Sequence, residues 1–236
     1  KNAIYFYLHF QYNGWFIFCL IGLFFLLVAH LKISISNKKS RLIYRLFTVS
    51  CFLTFFLSVL WMQPHPIIYI IAGIGAVLQA IALIKFIQII KPIQPFLKKN
   101  LAPIVYRSLQ FALLFFTLKI TLQTISALPY FAALASQVIS FVIGYLHLTF
   151  LGVVSLSLFA FLTYFKLIKL PPFWMYIYLT GFISSEVLII YNGIATWMLF
   201  SNIENYFLYL LFFSVLMPIG ILGILIPNLK TTSSTQ

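Results

Sequence analysis

The sequence predicts an all-α protein, a polytopic transmembrane helical bundle with seven spans. The first observation is composition: of 236 residues, 63% are hydrophobic and 7% are charged, with a mean hydropathy of +1.09. A soluble domain of this length does not have that balance. The second observation is that seven stretches each supply the roughly 20 apolar residues that a spanning helix needs. The predicted spans are Tyr5–Leu31, Ile43–Met62, Pro66–Ile90, Pro103–Leu128, Val138–Phe165, Phe173–Leu199 and Tyr206–Ile226.

The third observation is that basic residues occupy alternate connections between the spans. Lys and Arg cluster after the first, third and fifth spans, whereas Gln63–His65, Pro129–Gln137 and Phe200–Asn205 contain neither. Since basic loops stay on the cytoplasmic side, the N-terminus is expected outside and the C-terminus inside. A further full span at Phe131–Gly144 would reverse every later loop, so seven spans fit better. Pro129–Gln137 is then expected to form an outer loop or a partly re-entrant turn.

Prolines and polar residues predict where the helices begin, bend and end. Pro103, Pro171 and Pro172 lie at predicted helix starts, where a missing N–H costs little. Pro218 lies inside the seventh span and is expected to kink it. Asn228 and the Thr/Ser tail after Lys230 are typical of a disordered chain end.

The net charge of +13 does not indicate nucleic acid as a partner. The basic residues lie in short connections between apolar runs, which is the pattern of membrane orientation, so the expected partner is the lipid bilayer. Cys19 and Cys51 lie inside apolar runs and are expected to be packed thiols. The first residue is Lys rather than Met, as expected of a fragment or a processed form.

Two short segments predict an internal repeat. Tyr7–Gly14 and Tyr145–Gly152 align at an offset of 138 residues, with Tyr, Leu, His and Gly identical at matching positions. The spans that follow each segment also correspond in order. Within a single transmembrane domain, 1–236, these matches predict two parallel four-helix units, residues 1–137 and an incomplete 138–236.

The repeat places His9 and His147 near the outer ends of equivalent helices, and His65 lies in an outer turn. His30 lies at the inner end of the first span and is expected to reach the interface. Imidazoles that face a common cavity can ligate heme iron or copper. The alternative is that these histidines bond to backbone or water at the membrane interface.

At the repeated helix starts, Tyr7–Gly14 and Tyr145–Gly152, the chain resembles bacterial membrane proteins related to heme–copper oxidase subunit I and NnrS-type heme proteins. The segment His65–Tyr69 is similar to the copper-site segment of the oxidases. The resemblance implies four-helix units, heme held by His9 and His147, and a metal ligand at His65. The chain departs from the oxidases because it has no adjacent histidine pair and no Glu between His65 and Tyr69. The resemblance therefore implies heme binding more than oxygen reduction.

Lys119 and Glu186 are charged residues in the middle of apolar spans. A lone charge at mid-bilayer costs about 3 kcal/mol or more, so a pair between them is expected. Gln123 shares a helix face with Lys119, and Ser185 shares one with Asn192. The pair is interpreted either as a structural ion pair or as part of a proton relay.

Three functions fit these observations. The first is an oxidase-like protein of the bacterial inner membrane that binds heme or metal near the outer face. The second is a non-catalytic structural subunit of a larger membrane complex, with other membrane subunits as partners. The third is a proton-coupled transporter that uses Glu186. A retinal protein is not expected, since the last span contains no Schiff-base lysine.

Overall fold

A computed structural model describes residues 2–201 and 203–232 of the chain. Over these residues, seven helices are long and apolar enough to cross a membrane, which confirms the predicted number. The chain is accordingly a multi-pass integral membrane protein. In chain order the helices are α1 (Asn2–His30), α2 (Asn37–Met62), α3 (Pro66–Asn100), α4 (Pro103–Ile125), the short α5 (Pro129–Gln137), α6 (Ile139–Tyr164), α7 (Pro172–Met198) and α8 (Tyr206–Thr232).

The helix α3 is ten residues longer than the sequence indicated. It continues past Ile90, through Pro92 and Pro95, and ends at Asn100. Hydropathy marks the part of a helix that suits lipid, whereas the helix itself ends where the backbone leaves helical geometry. That point is Leu101, which is extended, with φ −97° and ψ 146°.

Residues 129–137 were expected to form a loop or a turn, and this expectation is wrong because they form the nine-residue helix α5. The segment begins with Pro129 and contains good helix formers. Val138 follows with φ −105° and ψ 93°, so the chain leaves helical geometry before α6 begins. Phe131–Gly144 is therefore not one continuous span.

The last helix extends over residues that the sequence predicted to be disordered. The helix α8 runs through Pro218 and Pro227 to Thr232. Asn228 donates a hydrogen bond to the Lys169 carbonyl (2.9 Å) and accepts one from the Lys169 N–H (2.7 Å). Asn228 thus ties α8 to the connection before α7. Residues 233–236, on which the rest of that prediction falls, lie outside the described residues.

The chain divides into two compact units. Unit 1 comprises Lys1–Leu101 and Leu113–Gln137, and unit 2 comprises Ala102–Ala112 and Val138–Gln236. The chain crosses between the units at 101/102, 112/113 and 137/138, and the last of these is the boundary that the sequence repeat predicts. The parallel repeat itself stays a prediction.

Each unit has one helix with a π-helical segment in it. In α1 this segment is Phe10–Phe16, and in α6 it is Leu148–Ser155. Both begin directly after a histidine, His9 in unit 1 and His147 in unit 2. Because π-helical turns are rare and often occur at functional sites, they direct attention to these two positions.

In unit 1, α3 packs closely against α2 through Gly75. A Cβ added at Gly75 would lie 2.6 Å from the Leu53 Cβ and 2.8 Å from the Thr54 backbone nitrogen. These atoms belong to or adjoin the backbone of α2, so they cannot move aside as a flexible side chain would. Glycine is therefore required for this approach of the two helices.

We expect Gly75→Ala to destabilise the protein by about 1–3 kcal/mol, the usual cost of overpacking. Unfolding in detergent, followed by circular dichroism, measures the change. Gly73→Ala is the matched control, since a Cβ there has no atom within 4 Å; its stability should be unchanged or slightly raised. Equal effects of the two substitutions would contradict the close packing of α2 and α3.

Candidate functional site

Unit 1 contains a buried hydrogen-bond chain centred on Lys119. The Lys119 side chain has 0% exposure. Its Nζ donates to the Asn13 Oδ1 and to the Gln123 Oε1, the latter at 2.9 Å. The bond to Gln123 confirms the prediction that Lys119 and Gln123, four residues apart, share one face of the helix. Asn13 was not identified from the sequence, because one polar residue in an aromatic stretch has no distinguishing pattern.

The chain of hydrogen bonds continues to His9, which is 2% exposed. The His9 Nδ1 accepts from the Asn13 amide at 3.2 Å, and the His9 Nε2 lies 2.9 Å from the Cys51 carbonyl oxygen. Since a carbonyl only accepts, Nε2 is assigned as the protonated nitrogen and the ring as neutral. Both nitrogens of His9 are therefore engaged.

These contacts do not fit a heme held by His9 in the described arrangement. An axial ligand needs a ring nitrogen with its lone pair free for iron, whereas His9 uses both nitrogens in hydrogen bonds. Iron ligation would require one of these bonds to break. Unit 2 holds no second histidine and no cysteine beside His147. Heme binding by His9 and His147 stays a prediction of the resemblance.

Unit 1 has no acidic residue, because the two in the chain, Glu186 and Glu204, both belong to unit 2. Within unit 1, the Lys119 amine therefore donates to the amide oxygens of Asn13 and Gln123 and not to a carboxylate. The predicted pair of Lys119 and Glu186 stays a prediction, since the two residues lie in different units.

In unit 2, Glu186 lies near the middle of the 27-residue helix α7. It is 7% exposed, and neither carboxylate oxygen has a hydrogen-bond partner in the described part of the chain. A Cβ added at Gly144 of α6 would lie 3.0 Å from the Glu186 Oε1, with Ile189 and Ile190 side-chain carbons within 3.6 Å. The carboxyl group therefore lies over a glycine that is flanked by isoleucine side chains.

His147 lies on α6, three residues after Gly144 and so on the same helix face. Its Nδ1 is buried and has no hydrogen-bond partner among the described residues. Nearby, the Asn192 amide donates to the Ser140 hydroxyl at 2.9 Å, which sets the register of α6 against α7. Ser185 does not join this bond; its hydroxyl donates to the Phe182 carbonyl.

His65, the predicted metal ligand, is exposed and precedes α3 as its N-cap. Its Nδ1 accepts from the Ile67 N–H at 3.4 Å, while the Tyr69 hydroxyl donates to the Leu60 carbonyl. In the part of the chain that the structure describes, no group of three or more His, Cys, Asp or Glu side chains is placed to hold a metal ion. A metal site at His65 stays a prediction.

The histidines that precede the two π-helical segments, His9 and His147, thus have different surroundings. In unit 1 the polar groups around His9 satisfy one another, which favours a structural role. In unit 2 both carboxylate oxygens of Glu186 and the Nδ1 of the half-buried His147 are buried and have no hydrogen-bond partner among the described residues. A buried ionised carboxylate without a partner is costly, so Glu186 is expected to be neutral and to hold a proton.

Comparison with known proteins identifies no homologue of this chain. No family model matches the chain, and no curated protein and no solved structure is significantly similar to it.

Proposed function

We propose that this integral membrane protein is a proton-coupled carrier in which Glu186 takes up and releases the proton. One observation carries the proposal: a carboxyl group near the middle of a membrane-spanning helix is 7% exposed and has no hydrogen-bond partner in the described residues. Such groups in transmembrane segments usually mark ion pathways or proton relays.

The apolar surroundings explain why the group suits a proton rather than a larger ion. Around Gly144, where the Glu186 Oε1 lies, the other nearest atoms are side-chain carbons of Ile189 and Ile190, and Gly144 itself contributes no side chain. A hard metal cation such as Na⁺ or Ca²⁺ needs several oxygen ligands. A proton needs one oxygen, and its binding removes the charge that makes burial costly.

We further propose that the protein lies in the bacterial inner membrane with its N-terminus outside, as the basic loops and the resemblance indicate. An energised bacterial membrane maintains a proton gradient that a carrier can use. The oxidase-like function and the role of a structural subunit are the alternatives, and each gives a different result in the test that follows.

The test measures charge movement after a pH jump, with the purified protein reconstituted into vesicles on a solid-supported membrane. Wild-type protein should give a transient current, because protons move to and from a site inside the membrane. Glu186→Gln, which keeps the shape of the side chain but cannot ionise, should abolish the current. The matched control Glu204→Gln, outside the predicted spans, should retain it.

Equal currents from wild type and Glu186→Gln would refute the proposed function. A structural subunit would give no current in either protein. The oxidase-like alternative predicts instead a heme absorption band in the purified protein, which is lost on replacement of His147.

A further inference from the structure

Unit 2 leaves three buried side-chain polar atoms without a hydrogen-bond partner in its described part. All three belong to two residues: the Oε1 and Oε2 of Glu186 and the Nδ1 of His147. One residue is an acid and the other is a base. Each therefore lacks what the other can supply, since a protonated carboxyl donates a hydrogen bond and a neutral imidazole nitrogen accepts one.

Glu186 of α7 faces Gly144 of α6, which lies three residues before His147. The Glu186 Oε1 is 3.0 Å from the position of a Cβ at Gly144, and side chains three residues apart on a helix have Cβ atoms about 5–6 Å apart. The Glu186 Oε1 is thus within about 9 Å of the His147 Cβ. Both side chains have rotatable bonds, and a shared proton requires rotamers that bring a carboxyl oxygen to the His147 Nδ1.

The backbone at His147 supports a special role for this position. The π-helical segment of α6 begins at Leu148, whose N–H is shared between the carbonyls of Gly144 and Tyr145. The change in helical pitch thus begins one turn after Gly144, and the first hydrogen bond of the altered segment reaches back to the Gly144 carbonyl. Gly144 has no side chain to separate the carboxyl from the face of α6 on which His147 lies.

We propose that His147 is the proton partner of Glu186, so that the carboxyl group and the His147 Nδ1 share one proton. This inference rests on the proposed function and adds a second residue to its site. In the transfer, the O–H bond of the Glu186 carboxyl breaks and an N–H bond forms at Nδ1. The products are a carboxylate and an imidazolium, the total charge is unchanged, and no other reactant is needed.

Among the described side chains of α6, α7, α8 and residues 102–112, the remaining titratable or charged groups are phenols and Arg107. The Tyr178 and Tyr191 hydroxyls donate to the backbone carbonyls of Leu151 and Ser201, and Arg107 donates to the Tyr176 hydroxyl. Tyr145 adjoins the site on α6, and α8 has Tyr206 and Tyr209 in its first turn. His147 is thus the one imidazole base of unit 2, and it lies three residues from the glycine that faces Glu186.

The test follows the protonated carboxyl with dicyclohexylcarbodiimide, an apolar reagent that adds to protonated carboxyl groups. The full-length protein in lipid is treated over a range of pH, and mass spectrometry of peptides measures the label on Glu186. Labelling should fall as the pH rises and Glu186 gives up its proton. In His147→Phe the midpoint should move up by about one pH unit or more, since the carboxylate form of Glu186 loses the imidazolium that stabilises it.

Two further variants make the result specific. His147→Asn places a polar atom near the position of Nδ1 but does not titrate, so it should move the midpoint in the same direction. Tyr145→Phe, beside the site on the same helix, should leave the midpoint unchanged. A role of His147 in packing alone would leave the midpoint of at least His147→Asn at the wild-type value.

The outcomes separate the inference from the proposed function. If Glu186 is labelled with the same midpoint in wild type and both His147 variants, the shared proton is refuted while the proton site at Glu186 stands. If wild-type Glu186 takes no label at any pH, the group is not protonated. The proposed function then fails, and the inference fails with it.

Discussion

Asn13→Leu should be among the most destabilising single substitutions in unit 1, with a loss of about 3 kcal/mol. The Asn13 side chain accepts from the buried Lys119 Nζ and donates to the His9 Nδ1. Leucine removes both contacts at once and leaves a fully buried amine with fewer oxygens around it. Unfolding in detergent at fixed pH measures the loss.

A double substitution distinguishes this explanation from a simple change of volume. Lys119→Met alone should cost about 1–2 kcal/mol, because it leaves amide oxygens without their donor. Asn13→Leu combined with Lys119→Met should be more stable than Asn13→Leu alone, since the amine that lost its partner is gone. The control Gln11→Leu, a half-buried neighbour in the same π-helical segment, should change stability little. Additive costs of the two substitutions would contradict the hydrogen-bond chain.

Gly144→Leu should remove most of the pH-jump current while Glu186 itself is left in place. A Cβ at Gly144 already lies 3.0 Å from the Glu186 Oε1, so a larger side chain must displace the carboxyl group from its position on α6. Gly144→Ala should have a smaller effect, because the end of a glutamate side chain can shift by a few tenths of an ångström. The current recorded from reconstituted vesicles measures both variants.

The control for this series is Gly22→Leu, a helical glycine of α1 around which an added Cβ has no atom within 4 Å. It should retain the wild-type current, which shows that a leucine at a helical glycine is tolerated. A Gly144→Leu protein that folds and gives an undiminished current would show that the position of Glu186 above Gly144 is not needed.

The number of helices could be predicted from the sequence because the requirement is simple. A span of the bilayer needs about 20 apolar residues, and hydropathy reports that length directly. The end of α3 and the helix α5 could not be predicted in the same way. The end of α3 at Asn100 and the helix at Pro129–Gln137 depend on backbone hydrogen bonds, which hydropathy does not report.

The candidate site was predicted in part. Glu186 and Lys119 are conspicuous because an ionisable residue in an apolar run is rare, and His147 is conspicuous through the repeat. The importance of Gly144 depends on which residue of α7 faces it, and a single sequence does not contain that information. The π-helical segments after His9 and His147 depend on small differences in backbone pitch that no residue pattern indicates.

The most direct test of the central claim, that Glu186 holds a proton inside the membrane, is infrared difference spectroscopy of the protein in lipid. The chain has two acidic side chains, Glu186 and Glu204, so a protonated carboxyl band can be assigned with two substitutions. We predict such a band near neutral pH, shifted by deuterium exchange, absent in Glu186→Gln and retained in Glu204→Gln. No protonated carboxyl band in the wild type, or a band that persists in Glu186→Gln, would contradict the claim.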